Sequence, residues 1–205
     1  MSLEEGAMLE PFAVGLHAVE IAPLVPGATV AVIGCGPIGL FAIQSAKASG
    51  ATRIIASDLL DYRLVAARRF GATRTVNARH DSIVKAVLEE TGGRGSSLSI
   101  EAAGASETVQ EALDCTMPSG TVVWGGIPRE DQVPINPHEA RRKELVVRML
   151  RRFCFTYPRA IEVASKGLVD LKSVVTHRFS LDRVAEAFEL VSNYADGVIR
   201  AVITI

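Results

Sequence analysis

The stretch "TVAVIGCGPIGLFAIQSAKASG", Thr29 to Gly50, constrains the fold more than any other part of this chain. "TVAVIG" is β-branched or small and follows the turn signal Pro26-Gly27, so it reads as a short buried strand. The apolar run after it has Pro37 near its first turn and Gly50 just past its end, so it reads as a helix. Between the two, Gly34, Gly36 and Gly39 fit the spacing GxGxxG. Glycines at that spacing also serve ordinary turns; their place between a strand and a helix is what gives them meaning. The first permits a tight turn, the second lets backbone approach a pyrophosphate, and the third lets helix pack closely on strand. The helix begun by Pro37, Ile38 and Gly39 then turns free N–H groups and a positive dipole end toward the phosphates.

The same alternation continues. "RIIASD" reads as a second strand and "DYRLVAARRFG" as a second helix, closed by Gly71. A short strand near "RTVN", a helix over "DSIVKAVLEETGG" and a strand over "SLSIEAAG" follow. Then come a helix over "SETVQEALDCT" and a strand over "GTVVWGG". Apolar strands alternating with amphipathic helices predict an α/β fold, a doubly wound parallel sheet covered on both faces. After Gly126 the polar, proline-broken "IPREDQVPINPHEARRKE" reads as a long loop, "LVVRML" as a sixth strand and "YPRAIEVASKG" as a helix. The tail reads as a strand, a helix capped by Ser180 and a final strand that follows a long excursion, as if for a different sheet. Near the start, the acid Glu10 precedes Pro11 and a small apolar helix from Phe12 to Glu20, where it reads as a cap unless a partner faces it.

Asp58 ends the second strand, where an acid grips ribose hydroxyls and repels a 2′-phosphate, which favours NAD over NADP. The alternative is a helix-capping acid. Arg63, five residues on, pulls the other way, since an arginine there can pair with that phosphate. Gly125 and Gly126 end the fifth strand, placed either to admit a nicotinamide or simply to turn the chain. Glu101 is similarly placed and reads as a solvated strand-end acid, and Cys35 as a small filler rather than a reactive thiol. No Tyr-xxx-Lys pair follows the fourth strand. His17, His80, His138 and His177 lie on different predicted elements, so none reads as a metal ligand.

Composition narrows the rest. With 22 basic and 23 acidic side chains and no basic stripe interleaved with aromatics, no nucleic-acid partner is expected. Ile21 to Gln44 carries no charge and has the length of a membrane span. Three prolines and four glycines interrupt it, and in lipid they would leave backbone groups unpaired, so no membrane partner is expected either. Glu4 and Glu5 stand where a secretory signal would carry Lys or Arg, and three scattered cysteines suit a reducing cytoplasm.

Four stretches, "GAMLEPFAVGLHA", "VIGCGPIGL" with "SD" after it, "RRFCFTYPRAI" and "LVDLKSVVTHRFSLDRVAEAFE", resemble the medium-chain, zinc-dependent dehydrogenases, closest to the sorbitol (polyol) dehydrogenase branch. The resemblance runs nearly end to end. It implies a Rossmann domain over 23–170, flanked by remnants of a GroES-like catalytic domain: a linker and helix over 1–22, and a segment over 171–205 that returns toward that domain. It implies NAD contacts at Ile38, Asp58, Arg63, Gly126 and Ile127. It also implies a polyol substrate such as sorbitol or xylitol, and a homo-dimer or tetramer joined through the Rossmann domain. In that family a Cys and a Gly-His-Glu segment hold the catalytic zinc. This sequence shows neither, so the expectation is a chain that binds NAD but is inactive alone, with zinc only in a full-length parent. Glu10 matches an acid beside that zinc, as a ligand or through the metal-bound water. Arg152 matches an arginine lining the substrate and nicotinamide site, with Phe153 where a Tyr is often found. Three alternatives stay open: a threonine-dehydrogenase-like parent, a zinc-free reductase parent, and a non-catalytic dinucleotide-binding or assembly module.

Overall fold

The computed structural model describes residues 1–204. The chain opens with α1 (Leu3–Glu20), whose start is fixed by Ser2. The Ser2 hydroxyl accepts from the Glu5 N–H at 3.2 Å, and Glu5 Oε2 accepts from the Ser2 N–H at 2.6 Å, so two end donors are satisfied reciprocally. The sequence predicts this helix only from Phe12, with Glu10 as its capping acid. The structure instead carries it from Leu3 straight through Pro11. Pro11 forfeits one helical hydrogen bond and crowds the carbonyl four residues back, and the buried face on both sides of it, Met8, Leu9, Phe12, Ala13 and Leu16, holds the helix together across that cost.

Next come β1 (Thr29–Ile33), α2 (Pro37–Ala48), β2 (Arg53–Asp58), α3 (Asp61–Phe70), β3 (Arg74–Asn77), α4 (Ile83–Glu90), β4 (Ser96–Glu101), α5 (Ser106–Cys115) and β5 (Thr116–Trp124). β5 begins earlier than the sequence predicts, with an irregular pairing to β4 that accommodates Ser119 at φ 60°. The predicted long loop contains α6 (Pro137–Arg142). Its cap is Asn136, which accepts from the His138 N–H at 3.0 Å, and Pro137 pre-sets its first turn. β6 (Val146–Met149) and α7 (Tyr157–Ser165) complete the α/β unit.

The six strands form one parallel sheet in the order β3-β2-β1-β4-β5-β6. The doubly wound α/β architecture expected from the alternation is therefore the architecture found. Winding reverses at β1, which has β2 on one side and β4 on the other, so a crevice opens outside the carboxyl ends of β1 and β4. Every residue of β1 is buried. α1 packs on α2, with the Phe12 and Phe41 rings 5.6 Å apart. Gly15 makes that approach possible, because a Cβ there would lie 2.7 Å from both the Ala42 N and the Phe41 Cβ.

The tail forms a separate two-stranded parallel sheet, β7 (His177–Ser180) with β8 (Ala201–Thr204), which carries α8 (Val184–Ser192) between them. Ser180 does not cap α8 directly, since a 3-10 turn over Leu181–Arg183 intervenes. The tail is tied to α1 through the Arg178 guanidinium on Glu4 and through Lys172 Nζ, 3.7 Å from Glu5. No helix among the described residues is long and apolar enough to cross a membrane.

The two helical glycines of α1 should respond in opposite directions. Gly6 has nothing within 4 Å of an added Cβ, so Gly6→Ala is expected to stabilise by about 0.5–1 kcal/mol. Gly15→Ala forces the helices apart and is expected to cost about 1–3 kcal/mol. Urea unfolding midpoints of the two variants measure both.

Candidate functional site

The crevice at the winding reversal is a cleft of about 410 Å³. Gly34 and Gly36 from the β1–α2 loop, Asp58 and Arg63 from β2 and α3, and Ala103 beyond β4 line it. So does Tyr194, which reaches it from the tail. Gly34, Gly36, Asp58 and Arg63 were expected at one site from sequence, and the fold brings these four together. Pro37, Ile38 and Gly39 form the adjoining first turn of α2, with Gly36 as its N-cap.

The three motif glycines are glycine for different reasons. Gly34 has φ 95°, and a Cβ there would meet the Ala103 N at 2.8 Å. At Gly39 a Cβ would fall 1.8 Å from the Gly34 carbonyl oxygen, so only glycine lets α2 close on the loop. Gly36 differs: a Cβ there would meet nothing nearer than Arg63 Nη1 at 4.0 Å. The protein itself leaves that space open, at a helix N-terminus that faces the cleft.

Asp58 is held in place by backbone. Its Oδ2 accepts from the Cys35 N–H at 2.8 Å and its Oδ1 from the Leu60 N–H at 3.0 Å. Arg63 Nη1 lies 3.7 Å from Oδ2, so this acid and this base form one compensated pair. The Arg63 guanidinium lies over two rings, 5.9 Å from the Tyr62 centroid and 5.1 Å from that of Tyr194. Cys35 is fully buried, and its thiol donates to the Ser57 carbonyl at 3.4 Å. Burial, with the Asp58 carboxylate as a second cause, pushes that thiol's pKa up, which suits a filler and not a nucleophile. Across the cleft, burial and then the charges of Glu107 and Asp114 raise the pKa of Glu111.

Glu101 corrects the sequence reading. It is 0% exposed, not solvated. Its Oε1 accepts from the Ala103 N–H at 2.9 Å, the Gly104 N–H at 2.7 Å and the Thr108 hydroxyl at 2.8 Å. Its Oε2 accepts from the Gly126 N–H at 3.0 Å. One carboxylate thereby joins the ends of β4 and β5 and the start of α5. It also accounts for Gly126, where a Cβ would lie 2.4 Å from Glu101 Oε2 and 2.3 Å from the Gly104 N. Neither Gly126 nor Ile127 lines the cleft, and the Ile127 side chain is 89% exposed.

Glu10 and Arg152 also lie outside the cleft, and both are exposed. Glu10 sits mid-helix on α1. Arg152 has φ 53° in the short segment between β6 and α7. Beside it, Phe153 turns inward and meets the Tyr157 ring edge-on at 4.9 Å. No group of three or more His, Cys, Asp or Glu residues among the described ones is arranged to hold a metal ion. Sequence reasoning did not find Tyr194, which no local pattern marks and which only the tertiary fold carries to Arg63.

Residues 37–166, more than half of the chain, match the zinc-binding dehydrogenase family. A sorbitol dehydrogenase of Bacillus subtilis (strain 168) is 38% identical over 92% of this chain and 54% of its own length. A zinc-binding dehydrogenase of Sinorhizobium meliloti 1021, solved bound to NADP, superposes with a TM-score of 0.90 at 31% identity, over 98% of this chain and 59% of that one. An alcohol dehydrogenase of Escherichia coli CFT073, solved with NADH, superposes with a TM-score of 0.91 at 27% identity, over 98% of this chain and 59% of that one. The chain thus spans little more than half the length of the proteins it matches.

Glu101→Gln should show how far the cleft floor depends on this acid. The amide can accept on one side only, and its NH₂ on the other meets an N–H, so a buried donor is stranded and a charge-assisted set weakened. A loss of about 2–4 kcal/mol in urea unfolding is expected, against less than about 0.5 kcal/mol for the exposed Glu10→Gln.

Proposed function

The chain belongs to the zinc-binding dehydrogenase family, and from that premise we propose that it binds NAD(H) in the cleft outside β1 and β4, in the service of secondary-alcohol oxidation on a polyol. The observation that carries this reading is the open space at Gly36. Gly34 and Gly39 are needed by the protein's own packing, whereas Gly36 is needed only by something that enters the cleft. The residues present fit a dinucleotide. Gly36 and the first turn of α2 at Ile38 and Gly39 would turn backbone N–H groups to the pyrophosphate. Asp58, fixed by two backbone donors, keeps lone pairs for the ribose hydroxyls. The bound coenzyme would supply hydride acceptance and return. The sorbitol dehydrogenase relative supports a polyol as the substrate class.

The described residues do not make up a zinc site. Glu10 stands alone on the exposed side of α1, with no cluster of ligand-type side chains around it. Arg152, proposed to face substrate, is likewise outside the cleft. These placements favour a second reading for this chain by itself: it holds the dinucleotide without turning it over. The chemistry of the proposed polyol oxidation, zinc included, then belongs to the whole protein. A cytoplasmic setting accompanies the proposal, since Cys35, Cys115 and Cys154 are all free thiols.

A second copy of this chain is the proposed partner. The sheet ends at β6, whose outer backbone edge is unpaired among the described residues and whose four residues are all exposed, Met149 at 67%. Apolar side chains on an open edge invite pairing with another strand.

Two measurements test these proposals. Titration with NADH, followed by quenching of Trp124 fluorescence, is expected to saturate. Gly36→Ala should weaken that binding at least tenfold while leaving the unfolding free energy within about 0.5 kcal/mol of the parent. If Gly36→Ala binds as well as the parent, the dinucleotide reading loses its main support. In sedimentation equilibrium the chain should run as a dimer or larger, and Val147→Lys with Met149→Lys should return it to monomer.

A further inference from the structure

Resting on the dinucleotide reading of the cleft, we infer that Tyr194 is a positioning residue for coenzyme choice. Its ring holds the Arg63 guanidinium over Asp58 and so sets the cleft for a free ribose 2′-hydroxyl rather than a 2′-phosphate.

Asp58 cannot be the movable member of this group, because backbone N–H groups of Cys35 and Leu60 fix both its oxygens. Arg63 can. Its Nε is buried and has no hydrogen-bond partner among the described residues, and its contact with Asp58 is an ion pair at 3.7 Å, longer than a close hydrogen bond. Besides that ion pair, the guanidinium has two rings beside it, and Tyr194, 56% exposed, is the nearer at 5.1 Å. Released, that guanidinium would be drawn to a phosphate dianion, which it can grip through two parallel hydrogen bonds. Arg79, the other arginine on the cleft, is already tied by its Nε to the Leu59 carbonyl at 3.0 Å.

Tyr194 is itself held with some insistence. It has φ 51° and Asp196 has φ 50°, left-handed backbone that is uncommon for residues other than glycine and persists where surroundings over-determine it. The turn is pinned on both sides. The Tyr62 hydroxyl donates to the Val198 carbonyl at 3.1 Å, and the His177 ring lies 3.2 Å from Asp196 Oδ2. A strained turn from outside the main sheet thus delivers one ring to one guanidinium. The NADH and NADP complexes of the two superposable structures show this fold with either coenzyme, so discrimination must come from local residues of this kind.

Calorimetric titration of NADH and NADPH into the chain and its variants tests the inference. The parent should prefer NADH. Tyr194→Ala should shift the NADH-to-NADPH affinity ratio about fivefold toward NADPH, the scale of one cation–π contact. Tyr194→Leu, which keeps bulk without a π face, should do the same, and Tyr194→Phe should keep the parent ratio. In an Arg63→Leu background, Tyr194→Ala should leave the ratio unchanged. A parent that binds neither coenzyme overturns the dinucleotide reading and this inference with it. A parent that binds NADH, with the ratio unmoved in Tyr194→Ala, overturns this inference alone. So does a parent that prefers NADPH, an equal loss of both affinities, a shift in Tyr194→Phe, or a shift that survives without Arg63.

Discussion

The Glu101 carboxylate is the contact around which this end of the sheet is built. A buried carboxylate is costly unless its oxygens are fully engaged. Here four donors from three parts of the chain engage it: the turn after β4, the first turn of α5 and the second residue after β5. That arrangement leaves little room for variation around it. Gly126 has no space for a Cβ beside Glu101 and Gly104, and Gly104, at φ 75°, packs against the backbone of Ile127. The loop ends opposite Gly34 are therefore fixed from within, and the crevice between β1 and β4 has a rigid far wall.

The near wall follows a different logic. Gly34 and Gly39 are dictated by backbone proximity, while Gly36 answers to empty space. A motif of three glycines thus mixes two structural demands with one that points to a ligand. The distinction separates what a substitution does to folding from what it does to binding.

Much of this was legible in the sequence because the signals were local and periodic. β1, the glycine loop and α2 are announced by a β-branched run, a fixed spacing and a proline at a helix start. The four residues expected at one cleft, Gly34, Gly36, Asp58 and Arg63, are close in sequence, so topology alone brings them together. What was not legible depended on partners distant in sequence or on very short elements. Glu101 looked solvated because nothing local shows that its donors include the N–H of Gly126. α6 is a single polar turn and a half, with no apolar face to betray it, although Asn136-Pro137 is a cap signal. The start of α1 was hidden by reading Pro11 as a boundary when Ser2 and Glu5 already formed a capping box. Glu10 and Arg152 rest on resemblance alone, and both lie exposed outside the cleft.

Asp58 and Arg63 show most clearly where sequence reading ends. An acid after the second strand argues for NAD and an arginine five residues later argues against it, and no amount of spacing decides between them. In the folded chain they are one ion pair, so the acid's charge is compensated and its presence alone repels a 2′-phosphate less than a bare carboxylate would. What matters is then where the guanidinium is kept. A ring from the far end of the chain lies 5.1 Å from that guanidinium, so three residues, and not one acid, stand together at this end of the cleft.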